Sequence, residues 1–397
     1  MRTIDRAIKA SRKLHDTPPL KETDEYMMFF EQMAKGLFDA EIIEVFSSKV
    51  FPETLVTKKG EKYLVWDNSY WYIVTKLLEL KFLEIFAKSR KSKKRVSQHM
   101  EANLMYFLSL INKDKTFLSV ETARSYRELI QKKYDFKLSE NQVKVSSQSI
   151  SEILFIAKIY CLCHELNHID FITDKGQYEN NLETLQHHLL MAKDLLEEDS
   201  NLLKNVYNYY SKDDLLEAIN NMISKNDSDD LEVEIICDMV SIFDTIEFFK
   251  DTNDGVEDSV IYGKVNEAIL LVNSINFALL QSYQYWNCLY SLFNEEITVE
   301  QQHKFIDKLN KDTFVRFVFS DMLKTIDTIG RLGEEFTHVL HSNHYGLRNE
   351  KEHSILQSVM WSITDKKFLF QIFKNTMKYE ISTENRIEQL RDSLLGW

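Results

Sequence analysis

Proline and glycine are scarce in this sequence of 397 residues, which contains three prolines and nine glycines. The prolines, Pro18, Pro19 and Pro52, all precede Glu53, so no proline interrupts the chain from Glu53 to Trp397. Loop-rich β-sandwiches and doubly wound α/β folds use many of both residues in their turns. The scarcity argues against such folds and predicts a mainly α-helical chain with long helices.

Cysteine and positive charge are also in short supply. The four cysteines, Cys161, Cys163, Cys237 and Cys288, provide no disulfide framework, and the first residues lack the apolar core of a secretory signal. Both features predict a cytoplasmic protein. The 62 acidic residues outnumber the 49 basic ones, and the net charge of −13 argues against duplex nucleic acid as the main partner. The basic run Lys88–Arg95 is expected to be a solvated loop between helices, with contact to an acidic partner as the alternative.

Long uncharged stretches are rare, and only Ala268–Asn294 is long enough to span a bilayer. This stretch contains several asparagine, glutamine and serine side chains, which are costly in lipid but readily hydrogen-bonded inside a protein. It is therefore predicted to be a buried core helix, and no membrane association is expected.

A hairpin signal follows the last proline. Strand-forming residues at Thr54–Thr57 and Tyr63–Trp66 flank a turn sequence at Lys58–Glu61. A helix over Tyr70–Ala87 is predicted next, and any of three polar residues before it can cap it: Asp67, Asn68 or Ser69.

Helical periodicity dominates the rest of the chain. Met27–Phe46 predicts one amphipathic helix or two, whereas the alternation in Gln142–Ser147 predicts a short strand. Ile150–Ile172 is apolar on most sides, which is typical of a helix buried in the middle of a domain. Further helices are predicted at Gln98–Leu110, Val120–Lys133, Glu183–Glu198, Asp213–Ser224, Leu231–Lys250 and throughout the region after Asp258.

The predicted buried helix contains His164-Glu165-Leu166-Asn167-His168, which matches the pattern H-E-x-x-H. Histidines four residues apart lie on one face of a helix and can bind one Zn²⁺ ion. Zinc lowers the pKa of bound water toward about 7, and Glu165 can accept its proton as a general base during attack on a carbonyl. Burying a polar His-Glu pair costs free energy, and a bound metal can offset this cost. The motif therefore predicts a zinc hydrolase.

A third ligand is expected from a helix downstream. The longer pattern H-E-x-x-H-x-x-G-x-x-H is excluded, because Phe171 and Asp174 occupy its glycine and last histidine positions. Glu234 in an apolar helix can bind zinc, and Asp238 one turn later can accept the ring N–H of a ligating histidine. Ordinary surface acids are the alternative interpretation of this pair. Competing third ligands are Glu183, His187, His188, Glu217 and Glu232.

With these two motifs the sequence resembles the zinc metallopeptidases that carry an HExxH…ExxxD signature, the gluzincins. It is most similar to the phage-exclusion Lit-like peptidases and less so to the ImmA/IrrE-like ones. The resemblance covers about Thr54 to Phe249. It departs from the family at Asn167, where many members carry a small residue, and in the 65 residues that separate His168 from Glu234.

The resemblance implies a role for each motif residue. His164, His168 and Glu234 would bind Zn²⁺, Glu165 would act as general base and then as acid, and Asp238 would orient a histidine. The family also implies endopeptidase activity on a specific intracellular protein, and by analogy a place in phage defence or a stress switch.

Two rival interpretations stay open. Cys161 and Cys237 could join the histidines in a closed structural zinc site, although Cys161 and His168 would lie about 10 Å apart along one helix axis. A non-enzymatic helical interaction protein, with a structural or vestigial metal site, is the second rival.

A donor for the oxyanion of a tetrahedral intermediate is sought in the polar stretch Phe336–Arg348. A solvated segment is the alternative interpretation of this stretch. The candidate donors in it are His338, His341, His344, Tyr345 and Arg348.

Taken together, the sequence predicts a mainly α-helical zinc endopeptidase with a small β-hairpin element. The predicted units are an N-terminal helical segment (residues 1–53), a metallopeptidase core (54–257) and an all-helical C-terminal region (258–397) that binds substrate, a trigger or a partner. The expected cofactor is Zn²⁺ and the expected partner is a protein or peptide substrate. The identity of the substrate and the oligomeric state do not follow from the sequence.

Overall fold

The computed structural model describes residues 25–45, 52–111, 140–198, 211–224 and 229–293, with separate residues between 298 and 345. These parts are mainly helical and include a small mixed sheet, as the sequence predicts. Residues 322–328 and 330–332 are helical as well. None of the described helices is long and apolar enough to cross a membrane. The helices are α1 (Glu25–Phe38), α2 (Asn68–Phe86), α3 (Arg90–Ile111), α4 (Glu140–Thr173), α5 (Lys175–Glu197), α6 (Lys212–Ile223), α7 (Asp229–Thr252) and α8 (Asp258–Phe293).

The sheet has three strands in the order β1-β3-β2. Strand β1 (Ala40–Val45) runs parallel to β3 (Lys62–Asp67), and β2 (Glu53–Val56) runs antiparallel to it. The predicted hairpin is therefore confirmed. Its turn places Gly60 at a φ of 80°, a conformation that glycine adopts without strain. Within the described strands β2 pairs only with β3, so β2 is an edge strand.

Helix α2 begins directly after the sheet, as predicted. Its cap is Asp67, whose Oδ1 accepts the amide hydrogen of Ser69 at 2.9 Å. Asp67 is also the last residue of β3 and is fully buried. The cap therefore turns the chain from the sheet into the helix at one fixed point.

Two predicted non-helical segments are helical instead. The strand predicted at Gln142–Ser147 is wrong, because these residues belong to α4. A run of six alternating residues is compatible with a strand and also with one and a half turns of helix. Here the run is helical because it continues into the helix that follows. The loop predicted over Lys88–Arg95 is wrong from Arg90 onward, since the Oγ of Ser89 accepts the amide hydrogen of Ser92 at 3.0 Å and begins α3 there.

The end of Met27–Phe46 shows the opposite error. Helix α1 ends at Phe38 because Asp39 adopts a φ of 50°, and Ala40–Val45 forms β1 instead of further helix. This segment is a strand because it pairs with β3, which lies further along the chain. The helix predicted over Val120–Lys133 lies outside the described residues, and the domain boundaries stay a prediction.

Two hydrophobic cores adjoin along α4 and α7. The first lies among the sheet and helices α1, α2, α3, α4, α7 and α8. The second lies among α5, α6, α7 and the side chains of Phe319, Met322, Leu323 and Ile326. Phe243 of α7 packs against both cores. Helix α4 contacts more of the described elements than any other helix and packs most extensively against α7. Polar side chains on the facing sides of α4 and α7 are therefore held by two cores at once.

Candidate metal centre

Two pairs of polar side chains converge where α4 packs against α7. His164 and His168 lie one turn apart on α4, and Glu234 and Asp238 lie one turn apart on α7. Residues at i and i+4 share one face of a helix, so two such pairs on facing helices meet. Asp238 is 4% exposed, whereas the side chain of Glu234 is 35% exposed. The surface-acid interpretation therefore fails for Asp238.

Three side chains at this junction bring their donor atoms to separations close to those that tetrahedral zinc requires. Ligand atoms about 2.05 Å from a tetrahedral ion lie about 3.3 Å from one another. The Nε2 atoms of His164 and His168 are 3.2 Å apart. Oε1 of Glu234 lies 3.3 Å from Nε2 of His168, and Oε2 of Glu234 lies 3.5 Å from Nε2 of His164. Among the described residues, this is the only group of three histidine, cysteine or carboxylate side chains able to hold one metal ion.

Asp238 stands behind the first of these histidines. Its Oδ1 lies 3.0 Å from Nδ1 of His164, so the other ring nitrogen of His164 is directed at the remaining donors. Tyr160, one turn before His164, donates its hydroxyl hydrogen to the same Oδ1 at 2.8 Å. A carboxylate in this position sets the tautomer of a ligating histidine and raises its basicity.

The charges at the junction shift pKa values in both directions. Burial lowers the pKa of His164, but the adjacent carboxylates of Asp238 and Glu234 outweigh burial and raise that pKa to about 10. Burial favours neutral Glu234 and Asp238. The two histidines and Arg316 nevertheless hold the pKa of Glu234 well below the usual range, and Arg316 and His164 do the same for the pKa of Asp238. Without metal, His164 is therefore protonated at neutral pH, and an incoming ion has to replace that proton.

Arg316, which the sequence analysis does not single out, bridges both carboxylates of α7. Its Nη1 lies 2.7 Å from Oε2 of Glu234. Its Nε and Nη2 donate to the two carboxylate oxygens of Asp238, at 2.8 and 3.0 Å. One planar guanidinium thus spans the two acids with three charge-assisted contacts.

Glu165 is tied to the sheet by Thr54 of the edge strand β2. The Thr54 hydroxyl lies 2.7 Å from the backbone oxygen of Glu165 and 3.0 Å from Oε2 of its carboxylate. A hydroxyl has one hydrogen and donates to one of these oxygens at a time. The contact fixes the Glu165 carboxylate against β2 and places this strand alongside the motif.

The cysteines near the junction do not take part in the donor group. Burial raises the pKa of the Cys161, Cys163 and Cys237 thiols, and nearby carboxylates raise it further. A thiol must lose its proton to bind zinc. Within the described residues, no cysteine lies close enough to the histidines to close a Cys2His2 site.

The competing third ligands lie elsewhere on the described helices. Glu183 and His187 on α5 and Glu217 on α6 are exposed. Neither His188 nor Glu232 joins a metal-binding group within the described residues. Of the predicted alternatives, Glu234 is the one that the structure brings to the two histidines.

The predicted oxyanion donors are only partly described. The backbone amide of Tyr345 donates to Oε2 of Glu267 on α8 at 3.2 Å, which places this tyrosine in a different set of contacts from the three donors. His344 is exposed. Three candidates lie outside the described residues: His338, His341 and Arg348.

Sequence reasoning misses Arg316, Tyr160 and Thr54. Arg316 does carry a signal, because a single cation in the otherwise apolar run Phe314–Phe319 predicts a buried anionic partner. Tyr160 lies one turn before His164, but a tyrosine in an apolar helix is ordinarily a packing residue. Thr54 has no signal that separates it from any other threonine in a strand.

No family model matches the chain, and comparison with curated proteins and with solved structures finds no match either. The side chains at the junction of α4 and α7 are therefore the features that bear on function.

Proposed function

We propose that the chain is a zinc-dependent endopeptidase that cleaves a specific intracellular protein. The proposal rests on the donor atoms of His164, His168 and Glu234. The two Nε2 atoms are 3.2 Å apart, Oε1 of Glu234 lies 3.3 Å from His168 and Oε2 lies 3.5 Å from His164. These distances are close to the separation of about 3.3 Å between ligands of tetrahedral zinc. The order of the motifs along the chain is the one found in the gluzincins, which it resembles. By analogy with the Lit-like branch, the cleavage would serve phage defence or a stress switch.

The polar side chains at the junction have distinct tasks in this proposal. His164, His168 and Glu234 would hold the ion, and zinc supplies a Lewis acid that polarises a carbonyl and lowers the pKa of water. Glu165 accepts a proton from the attacking water and returns it to the leaving amine. Asp238 keeps His164 oriented, and Thr54 positions Glu165.

The number of donors favours a catalytic ion over a structural one. Structural zinc sites are closed by four protein ligands, whereas catalytic sites keep one position for water or substrate. The described residues supply three donors. The side chains of His168 and Glu234 are 20% and 35% exposed, so solvent reaches this part of the junction.

The edge strand β2 favours a peptide as the substrate. An extended peptide can add to an exposed edge and form main-chain hydrogen bonds along it. Thr54 of β2 contacts Glu165, so a peptide paired with β2 would pass beside the general base. Strand β2 is only four residues long, which suits a short recognition segment.

The test is to map new protein termini in cells that produce the wild type or the Glu165→Gln variant. Glutamine preserves the shape of residue 165 but cannot accept the proton, so cleavage should fall by about 100-fold or more. We expect a small set of termini that are present with the wild type and absent with Glu165→Gln. The matched control is Glu152→Gln on the same helix, where an exposed glutamate pairs with Lys264 at 2.7 Å.

The control variant should produce the wild-type termini. Identical termini with the wild type and Glu165→Gln would contradict the proposed activity. Bound zinc without any new termini would instead support the rival, an interaction protein with a structural or vestigial metal.

A further inference from the structure

The guanidinium of Arg316 contacts one particular oxygen of the Glu234 carboxylate. Its Nη1 lies 2.7 Å from Oε2, while the other oxygen, Oε1, lies 3.3 Å from Nε2 of His168. A carboxylate can bind a metal through one oxygen or through both. In this arrangement the guanidinium contacts Oε2, which also lies 3.5 Å from Nε2 of His164, whereas Oε1 faces His168 and is not contacted by the guanidinium.

The guanidinium is itself fixed by Asp238. Nε and Nη2 of Arg316 donate to Oδ2 and Oδ1 of Asp238, which is 4% exposed and also contacts His164. A bidentate pair of this kind sets the plane of the guanidinium as well as its position. Nη1 is therefore aimed at Glu234 by contacts that do not involve Glu234.

We propose that Arg316 is a positioning residue that restricts Glu234 to a single metal-binding oxygen, Oε1, and so keeps one position of the metal open. The inference rests on the proposed function in one respect, because it requires a metal at His164, His168 and Glu234. Arg316 touches neither substrate nor metal in this role. It acts through the geometry of Glu234.

The role depends on the shape of the arginine as well as on its charge. A lysine ammonium is a point charge on a flexible chain and cannot present a planar fork to Asp238 while it holds Glu234. We therefore expect Arg316→Lys to behave like Arg316→Gln. A role limited to charge neutralisation would instead be restored by lysine.

The test is the visible spectrum of the Co²⁺-loaded protein, because four-coordinate Co²⁺ absorbs more strongly than five- or six-coordinate Co²⁺. Without Arg316, Glu234 is free to bind through both oxygens and the coordination number rises. We expect Arg316→Gln and Arg316→Lys to lower the absorbance per bound Co²⁺ by about twofold or more relative to the wild type. This readout requires no peptidase activity.

The matched control is Arg331→Gln. Arg331 also bridges two carboxylates, with Nε 2.7 Å from Asp327 and Nη1 3.2 Å from Glu247, and it makes no contact with the three donors. The Co²⁺ spectrum of Arg331→Gln should equal that of the wild type, and circular dichroism should show that all variants are folded. Wild-type spectra in both Arg316 variants would overturn the inference while leaving the metal site intact.

Two further outcomes keep the inference separate from the proposed function. A wild type that binds no Co²⁺ overturns both. If the Arg316 variants fail to fold, a crystal structure of the zinc-loaded wild type shows how Glu234 binds the metal. Glu234 bound through Oε1 with Arg316 on Oε2 supports the inference, and Glu234 bound through both oxygens overturns it.

Discussion

Asp238 contacts Tyr160, His164 and Arg316, and the last two of these partners determine its charge. Burial alone would favour a neutral carboxyl group, but Arg316 and His164 hold the pKa of Asp238 well below its usual range. The resulting anion in turn keeps a proton on His164. At the scale of single residues, metal binding is therefore coupled to the loss of this proton.

We expect Zn²⁺ binding at pH 7.5 to release about one proton from His164, whose pKa in the metal-free protein is about 10. The apparent affinity should therefore rise about tenfold per pH unit between about pH 7 and 9. Titration calorimetry in buffers of different ionisation enthalpy measures the released proton directly. Because the pKa of His164 is raised, its protonation stabilises the metal-free fold below about pH 6.5, and this contribution is lost as the pH rises toward 10.

Asp238→Asn removes the anion that keeps His164 protonated. On binding Zn²⁺, this variant should release less than one proton, and its affinity for Zn²⁺ should be about 10- to 100-fold lower than that of the wild type. Asp251→Asn, the same substitution at an exposed position near the end of α7, serves as the control and should leave both quantities unchanged. Binding by the wild type that releases no proton and does not vary with pH would contradict this account of the residue contacts.

At the scale of elements, local patterns predict the helices well and the pairing of strands poorly. Periodicity and capping predict α2, α6 and α7 to within a few residues, because both signals lie within the segment itself. They also predict the end of α5, but this helix begins eight residues earlier than predicted. The start of α4 and the strand β1 are missed, since short alternating or apolar runs fit helix and strand alike. Pairing with β3 decides β1, and no local signal contains that information.

Asn167, at which the sequence departs from the peptidases it resembles, joins the two helices of the site. Its Nδ2 lies 3.1 Å from the Ser241 hydroxyl and 3.3 Å from Oδ2 of Asp244, and the residue is 3% exposed. Asn167→Ala should lower the free energy of unfolding by about 2 kcal/mol, because it leaves a buried gap and breaks both contacts. Denaturant unfolding of this variant and of the wild type measures the change.

The control for this prediction is Asn220→Ala, at an exposed position on α6. It should stay within about 0.5 kcal/mol of the wild type. Equal stability of Asn167→Ala and the wild type would show that these contacts do not hold α4 against α7.

At the scale of the whole molecule, the sequence predicts the residues of α4 and α7 at the junction but not their cationic partner. The histidine and carboxylate motifs each fit within one helical turn, so their spacing is visible in the sequence. Arg316 lies 78 residues beyond Asp238, and only the fold brings the two together. Its isolated charge in an apolar run predicts a buried partner without identifying that partner.

Both hydrophobic cores are built from buried apolar side chains on several helices, and none of the three proposed metal ligands belongs to either core. We therefore expect a chelator to remove zinc without loss of helical circular dichroism. The melting temperature should fall by only about 3 to 8 °C, the size of a ligand-binding contribution. Unfolding on chelation would show that the metal is structural.

The central claim is that His164, His168 and Glu234 together bind one zinc ion. Its most direct test is the zinc content of protein purified without a histidine tag, measured by inductively coupled plasma mass spectrometry. The account predicts about one zinc per chain in the wild type and in Glu165→Gln, and less than about a tenth of that in folded His168→Gln and Glu234→Gln. A wild type without zinc, or ligand variants that retain it in full, would contradict the account.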